Sequence, residues 1–135
     1  MIDVEVFGEG AVEGGPGRDE LARLCCLAAA SLGVADGHVA VEFVDTARIT
    51  ALNTEHRGKP EPTDVLSFPI DGAGEPAVPD GVPRELGDIV ICAQHTSDIS
   101  EAVLHGMLHL LGMDHEVDSG EMLALQRNLI AEARG

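Results

Sequence analysis

Three histidines, His105, His109 and His115, lie within the eleven residues His105-Gly106-Met107-Leu108-His109-Leu110-Leu111-Gly112-Met113-Asp114-His115. The first two are four apart, so on an α-helix they share one face, a turn apart. Gly112 is a natural helix stop, because glycine accepts the left-handed geometry that helix C-termini favour. A reversal there brings His115 back toward the first pair. Three converging imidazoles without a fourth protein ligand leave a coordination position open, and on zinc an open position takes water or substrate. The competing reading is a set of hydrogen-bonded core histidines. Three imidazoles in so apolar a segment would be costly to bury unpaired, which favours a metal.

Such a site lowers the pKa of a bound water to about 7, which suits hydrolysis of an ester, amide or phosphodiester. In metzincin peptidases a glutamate follows the first histidine and acts as general base. Here that position is Gly106, so a peptidase lacks its base. Gly106 reads instead as a place where a neighbouring backbone approaches closely. Asp114 has two readings of equal weight: a carboxylate that orients a ligand imidazole, or a turn aspartate bonded to local N–H groups. Glu116 is a candidate base, although an exposed carboxylate is the commoner outcome.

A second chemical segment runs Asn53-Thr54-Glu55-His56-Arg57-Gly58-Lys59 and continues into Thr63-Asp64-Val65-Leu66-Ser67-Phe68-Pro69. Arg57 and Lys59 are a rare positive spot in an acidic chain. Arginine can hold a phosphate with two donors and stabilise charge developing on it. Pairing with one of the many carboxylates is an equally good reading of the residue itself. His38, His56 and His95 lack a partner at ligand spacing and read by default as structural or solvated, and only His56 has a neighbour that makes a site role plausible.

These side chains need a scaffold. Ile2 to Phe7 alternates apolar and acidic residues, as a half-buried strand does. Arg18 to Leu32 carries Leu21, Leu24, Cys25, Ala28 and Leu32 at helical spacing, with Gly33 closing it. Asp36-Gly37 reads as a turn. His38 to Val44 alternates again, with Val39, Val41 and Phe43 on one face. A short helix follows with Thr46 as N-cap. Val65 to Phe68 reads as a strand stopped by Pro69, Asp71 to Glu85 as a long loop, and Leu86 to Cys92 as a buried strand. Asp98 and Glu101 form a capping box that opens the histidine helix. Its apolar residues Ile99, Val103, Leu104, Met107, Leu108 and Leu111 cover so much of its circumference that it belongs at the centre. Asp118 and Glu121 form a second box, before an amphipathic helix through Met122, Leu125, Leu129 and Ile130. Strands and helices are interspersed without strict alternation, which predicts an α+β fold. The length, 135 residues, fits a single domain, 1–135.

Composition narrows the function. The net charge is −16, with 24 acidic residues against 8 basic ones, so the surface repels nucleic acid at long range. There are three Phe and no Tyr or Trp. The core is therefore aliphatic, and aromatic platforms for stacking bases are lacking. Cys25, Cys26 and Cys92 show no metal-ligand spacing and read as small core residues. The N-terminus lacks the basic-then-apolar pattern of a signal peptide, and the apolar run near Leu24 to Leu32 is too short for a membrane span. A reducing cytoplasm is the expected location, with no membrane association.

Residues 105–115 match the signature His-Gly-x-Leu-His-Leu-x-Gly-x-Asp-His at every fixed position. Together with Asn53 to Lys59, Thr63 to Pro69, Leu86 to Ile91 and the stretch from Met122, they resemble the YbeY family of bacterial endoribonucleases, also called rRNA maturation factors. The resemblance runs from about Val41 to the end of the chain. It implies a mixed sheet of about four strands beside helices, with a zincin-like metal helix. It implies one Zn2+ per chain on His105, His109 and His115, and a functional role for Arg57. It further implies cleavage of single-stranded RNA, with a role in 16S rRNA 3′-end maturation and ribosome quality control. The expected partners are single-stranded RNA, the 16S rRNA precursor and small ribosomal subunit proteins. Two features depart from the family: Met113 replaces its usual tyrosine, and the stretch between Ile91 and His105 is short. The alternative, which the negative charge favours, is a non-catalytic ribosome-assembly factor with a structural zinc site.

Overall fold

The computed structural model describes residues 2–12, 14–71 and 84–135. The elements run β1 (Ile2–Phe7), α1 (Arg18–Ser31), β2 (Gly37–Phe43), α2 (Thr46–Arg57), β3 (Val65–Pro69), β4 (Glu85–Ile91), α3 (Ile99–Leu110) and α4 (Glu121–Arg134). The four strands form one sheet in the order β1-β2-β4-β3. The first two pairings are parallel, and β3 pairs antiparallel with β4. The sheet is therefore mixed and the fold α+β, as expected. Of the long loop expected from Asp71 to Glu85, residues 72–83 lie outside the described residues.

Strand alternation decides which side chains meet which helices. Val39, Val41, Leu86, Ile89 and Ile91 face the main core, shared with α1, α3 and α4. The opposite face of β4 sends Val90, with the following Cys92, into a smaller cluster with Leu66 of β3 and Ile49 of α2. So α2 covers one side of the sheet, and the other three helices cover the other. The histidine helix α3 is central: Val103, Leu104, Met107 and Leu108 are fully buried. Gly106 is what lets it lie so close to β4, since a Cβ there would come within 2.7 Å of Ile89 Cγ2. The glycine does mark a close approach, but of the Ile89 side chain rather than of a neighbouring backbone.

Several local details differ from expectation. Asp45, not Thr46, caps α2, accepting the Arg48 N–H at 2.8 Å. The Thr46 hydroxyl is spent on Gln94 and His95, in the turn after β4. Gly37 opens β2 rather than a turn, because it packs directly beneath Leu86. The second capping box is rearranged. Gly120 precedes α4, while Asp118 accepts from the N–H groups of Gly120 and Met122. Among the described residues no helix is long and apolar enough to cross a membrane.

Candidate metal centre

Asp98 caps α3 through the Glu101 N–H at 3.1 Å, so the helix starts where the sequence placed it. Its apolar stripe turns into the core, which leaves His105 and His109 half-buried on the flank facing β3. The helix ends as Gly112, at φ +100°, donates to His109 O at 3.0 Å, while Met113 donates to Leu108 O at 3.0 Å. This reversal returns His115 to the pair. Ring centroids are 4.7 Å apart for His105–His109, 4.9 Å for His105–His115 and 5.1 Å for His109–His115. One nitrogen from each ring lies within 4.8 Å of the others.

The hydrogen bonds behind the rings set their protonation. His109 Nδ1 donates to the Met113 carbonyl at 3.0 Å. A carbonyl only accepts, so Nδ1 carries the proton and Nε2 presents a lone pair. His105 Nδ1 lies 2.8 Å from the Gln126 side-chain oxygen and is held the same way. The two Nε2 atoms then face each other at 3.2 Å. Two lone pairs at that distance repel unless a cation stands between them. Tetrahedral zinc with nitrogens about 2.0–2.1 Å away would set its ligand atoms about 3.3–3.4 Å apart, close to the spacing seen. Burial, and secondarily the charge a protonated His105 would carry, push the His109 pKa down and keep the ring neutral. His115 Nδ1 is buried with no partner among the described residues. An orphaned imidazole nitrogen is costly in a core but natural in a ligand set. The three rings therefore fit a divalent cation.

A cavity of about 560 Å³ opens against the triad, walled by β3, the end of α2 and the Gly112–Glu116 turn. Arg57, the last residue of α2, lies on its rim, with Nη2 3.5 Å from Glu116 Oε1. Both side chains are partly exposed, at 37% and 63%. A long, solvated pair contributes little and leaves the guanidinium available. Of the two sequence readings of Arg57, the pairing with a carboxylate is the one seen here. Lys59, beyond the Gly58 turn, is not part of the cavity wall. Asp114 takes its turn role, accepting the Glu116 N–H at 2.9 Å. His38 is held between Glu85 and Glu5 at 2.8 Å each, far along the chain from this cleft. His95 bonds Thr46, whereas His56 packs on Phe68 and joins the cavity wall.

Sequence reasoning missed Gln126, the residue that orients His105. Its signal is a polar side chain four residues after Met122 and three before Leu129, on the buried stripe of α4. It also missed Ser67, whose hydroxyl donates to Gly106 O at 3.2 Å and ties β3 to the histidine helix.

Comparison with known proteins adds to this geometry. A family model described as Endoribonuclease YbeY matches residues 18–134. An Endoribonuclease YbeY of Bacillus cytotoxicus is 40% identical over 116 residues, covering 73% of this chain and 74% of its own. One from Geobacillus kaustophilus is 40% identical over 131 residues, covering 84% of each. The solution structure of TM1509 from Thermotoga maritima superposes with a TM-score of 0.52 at 25% identity, over 96% of this chain and 88% of that one.

Proposed function

Since the chain belongs to the Endoribonuclease YbeY family, we propose that it is a zinc-dependent endoribonuclease that cuts single-stranded RNA. Its place is the cytoplasm, at the 3′ end of the 16S rRNA precursor and in ribosome quality control, in the company of small-subunit proteins. The observation that supports this most is the pair of inward-facing Nε2 atoms of His105 and His109 at 3.2 Å, beside an open cleft that carries an arginine.

His105, His109 and His115 would hold the cation. When bound, such an ion supplies Lewis acidity, acidifying a water and polarising a phosphoryl oxygen. Gln126 and the Met113 carbonyl fix the two helical rings in their ligand tautomer. Arg57 offers its forked donors to the scissile phosphate from the rim. Engaging a phosphate would draw Arg57 off Glu116 and free that carboxylate, which also lines the cavity, to accept a proton from the attacking water. Asp64 and Asp114 are less suited to that task, since each already accepts a backbone N–H.

The net charge of −16 favours a second reading, a non-catalytic assembly factor that docks on basic ribosomal proteins. Against it, structural zinc sites are closed by four protein ligands. Among the described residues this site gathers three, beside a cavity. The test is incubation of the pure chain with an rRNA 3′ fragment, with and without chelator, alongside His109→Ala. Cleavage is expected only with metal and intact His109. Undiminished cleavage by the variant, or zinc far below one per chain, would overturn the proposal. Rescue of ribosome maturation by His109→Ala in a null strain would favour the assembly reading.

A further inference from the structure

The open edge of β3 carries a pattern that the metal centre does not use. At the ends of the β3–β4 ladder, Cys92 N–H donates to Asp64 O at 2.9 Å and Ile70 N–H to Leu86 O at 3.1 Å. The register between them is unbroken, from Val65 opposite Ile91 to Pro69 opposite Gly87. In an antiparallel pair alternate residues bond the partner strand. Residues 64, 66, 68 and 70 therefore turn their backbone groups to β4, while Val65, Ser67 and Pro69 turn theirs outward. These last three line the cavity beside the histidines.

Two of the three outward N–H groups are missing. Val65 N–H is taken by the Asp64 carboxylate at 2.8 Å, and proline has none. Ser67 N–H remains, flanked by outward carbonyls, with no backbone partner among the described residues. A peptide strand adding to an edge needs a donor at every second residue. This edge offers one, so it is a poor template for a polypeptide, as blunted edges are. Single-stranded RNA has other needs. A phosphate oxygen requires a donor, and 2′-hydroxyls can donate to carbonyls. Neither contact requires a cation, of which the chain has only 8 against 24 acidic residues.

We propose that the outward edge of β3 is the rail for the RNA backbone, with Ser67 N–H bonded to a phosphate oxygen and the neighbouring carbonyls receiving 2′-hydroxyls. The proposal rests on the endoribonuclease reading of the cleft and names the contact that favours ribose-phosphate over peptide there. The test is to titrate the ¹⁵N-labelled, zinc-loaded chain with a short single-stranded oligoribonucleotide bearing phosphorothioate linkages, which resist cleavage. The Ser67 amide resonance is expected to shift strongly, and those of Leu66 and Phe68 far less. The DNA homologue should bind more weakly, and an extended peptide should leave Ser67 unmoved. Ser67→Pro, which removes the donor at an outward position, should bind the RNA about tenfold more weakly than Ser67→Ala, which keeps it. Bound RNA with a static Ser67 amide would overturn the rail and leave the nuclease reading standing, as would equal affinities of two folded variants. Failure of the chain to bind or cleave unmodified RNA would overturn both. A Ser67 shift with peptide instead of RNA would assign the edge to a polypeptide and overturn the rail.

Discussion

Replacing Gln126 by leucine isolates what the support behind a ligand contributes. Gln126 is half-buried and its oxygen lies 2.8 Å from His105 Nδ1. Leucine fills similar space on the buried stripe of α4 but cannot accept a proton. A cation on Nε2 withdraws charge from the ring, so the Nδ1–H becomes a stronger donor and the bond to Gln126 strengthens. Losing the acceptor leaves that donor unpaired, at about 1–3 kcal/mol. Outer partners of ligating histidines are, by a separate route, worth about 10–100-fold in metal affinity. That range is about 1.4–2.7 kcal/mol, so the two routes agree. Zinc affinity of Gln126→Leu should therefore fall about 10–100-fold by competition with a chromophoric chelator. Stability of the metal-free chain should change by only about 1 kcal/mol, because the same bond is weaker there. Unchanged zinc affinity in a folded variant would refute the claim that Gln126 sets the tautomer of His105. A loss in metal-free stability as large as the loss in binding would instead make it a packing residue.

Arg57→Ala should lower kcat/KM on single-stranded RNA by about 10–100-fold, the range for removing a donor aimed at developing charge, with zinc affinity unchanged. Equal activity would show that the rim arginine serves only Glu116. Gly106→Ala sets a Cβ 2.7 Å from Ile89 Cγ2 in a fully buried contact. Overpacking costs about 1–3 kcal/mol and alanine's helix propensity returns about 1. Urea unfolding should therefore show a net loss of up to about 2 kcal/mol, and a stabilised variant would refute the close packing of α3 on β4. His38 has its pKa raised, chiefly by its hydrogen bond to Glu85 and then by Glu5. A raised folded pKa gives stability that is full below the unfolded value and is lost as pH rises through the folded one. His38→Gln should flatten that decline, seen as a smaller drop in melting temperature from mildly acidic to mildly alkaline pH. An unaltered slope would place the dependence elsewhere.

What the sequence made legible was what depends on neighbours along the chain. The alternation in Ile2 to Phe7 and His38 to Val44 is imposed by a sheet with one buried face at those strands. The span and centrality of α3 follow from an apolar run between Asp98 and Gly112, and its turn geometry brings His105, His109 and His115 together. α2 was harder to bound, because only Ile49 and Asn53 are buried along its length. A helix that hides so little has weak periodicity, and its cap was misassigned because Thr46 bonds a turn almost fifty residues away. Gln126 shows in the sequence only as a polar residue on the stripe of α4, because the partner that gives it a role is twenty-one residues distant. The order β1-β2-β4-β3, which leaves β3 at the edge beside the cleft, has no local signature at all.

The acidity of the chain bears on how such a cleft can hold a polyanion. At physiological ionic strength charges are screened beyond about 8 Å. The carboxylates remote from the cleft therefore slow encounter and weaken loose, sequence-blind adhesion, but they do not set the field inside it. There the wall mixes signs: Arg57 on the rim, the carboxylates of Asp64, Asp114 and Glu116, the three imidazoles with the cation they would hold, and the neutral dipoles of β3. Neutral donors hold a phosphate only at contact distance and only in line, so they discriminate geometry where a basic patch would not. On the proposed reading a duplex would be too rigid to lay one strand along a strand edge while its scissile phosphate reached His105 and His109. A flexible single strand would do both, and a surface poor in cations would give a duplex no other reason to stay.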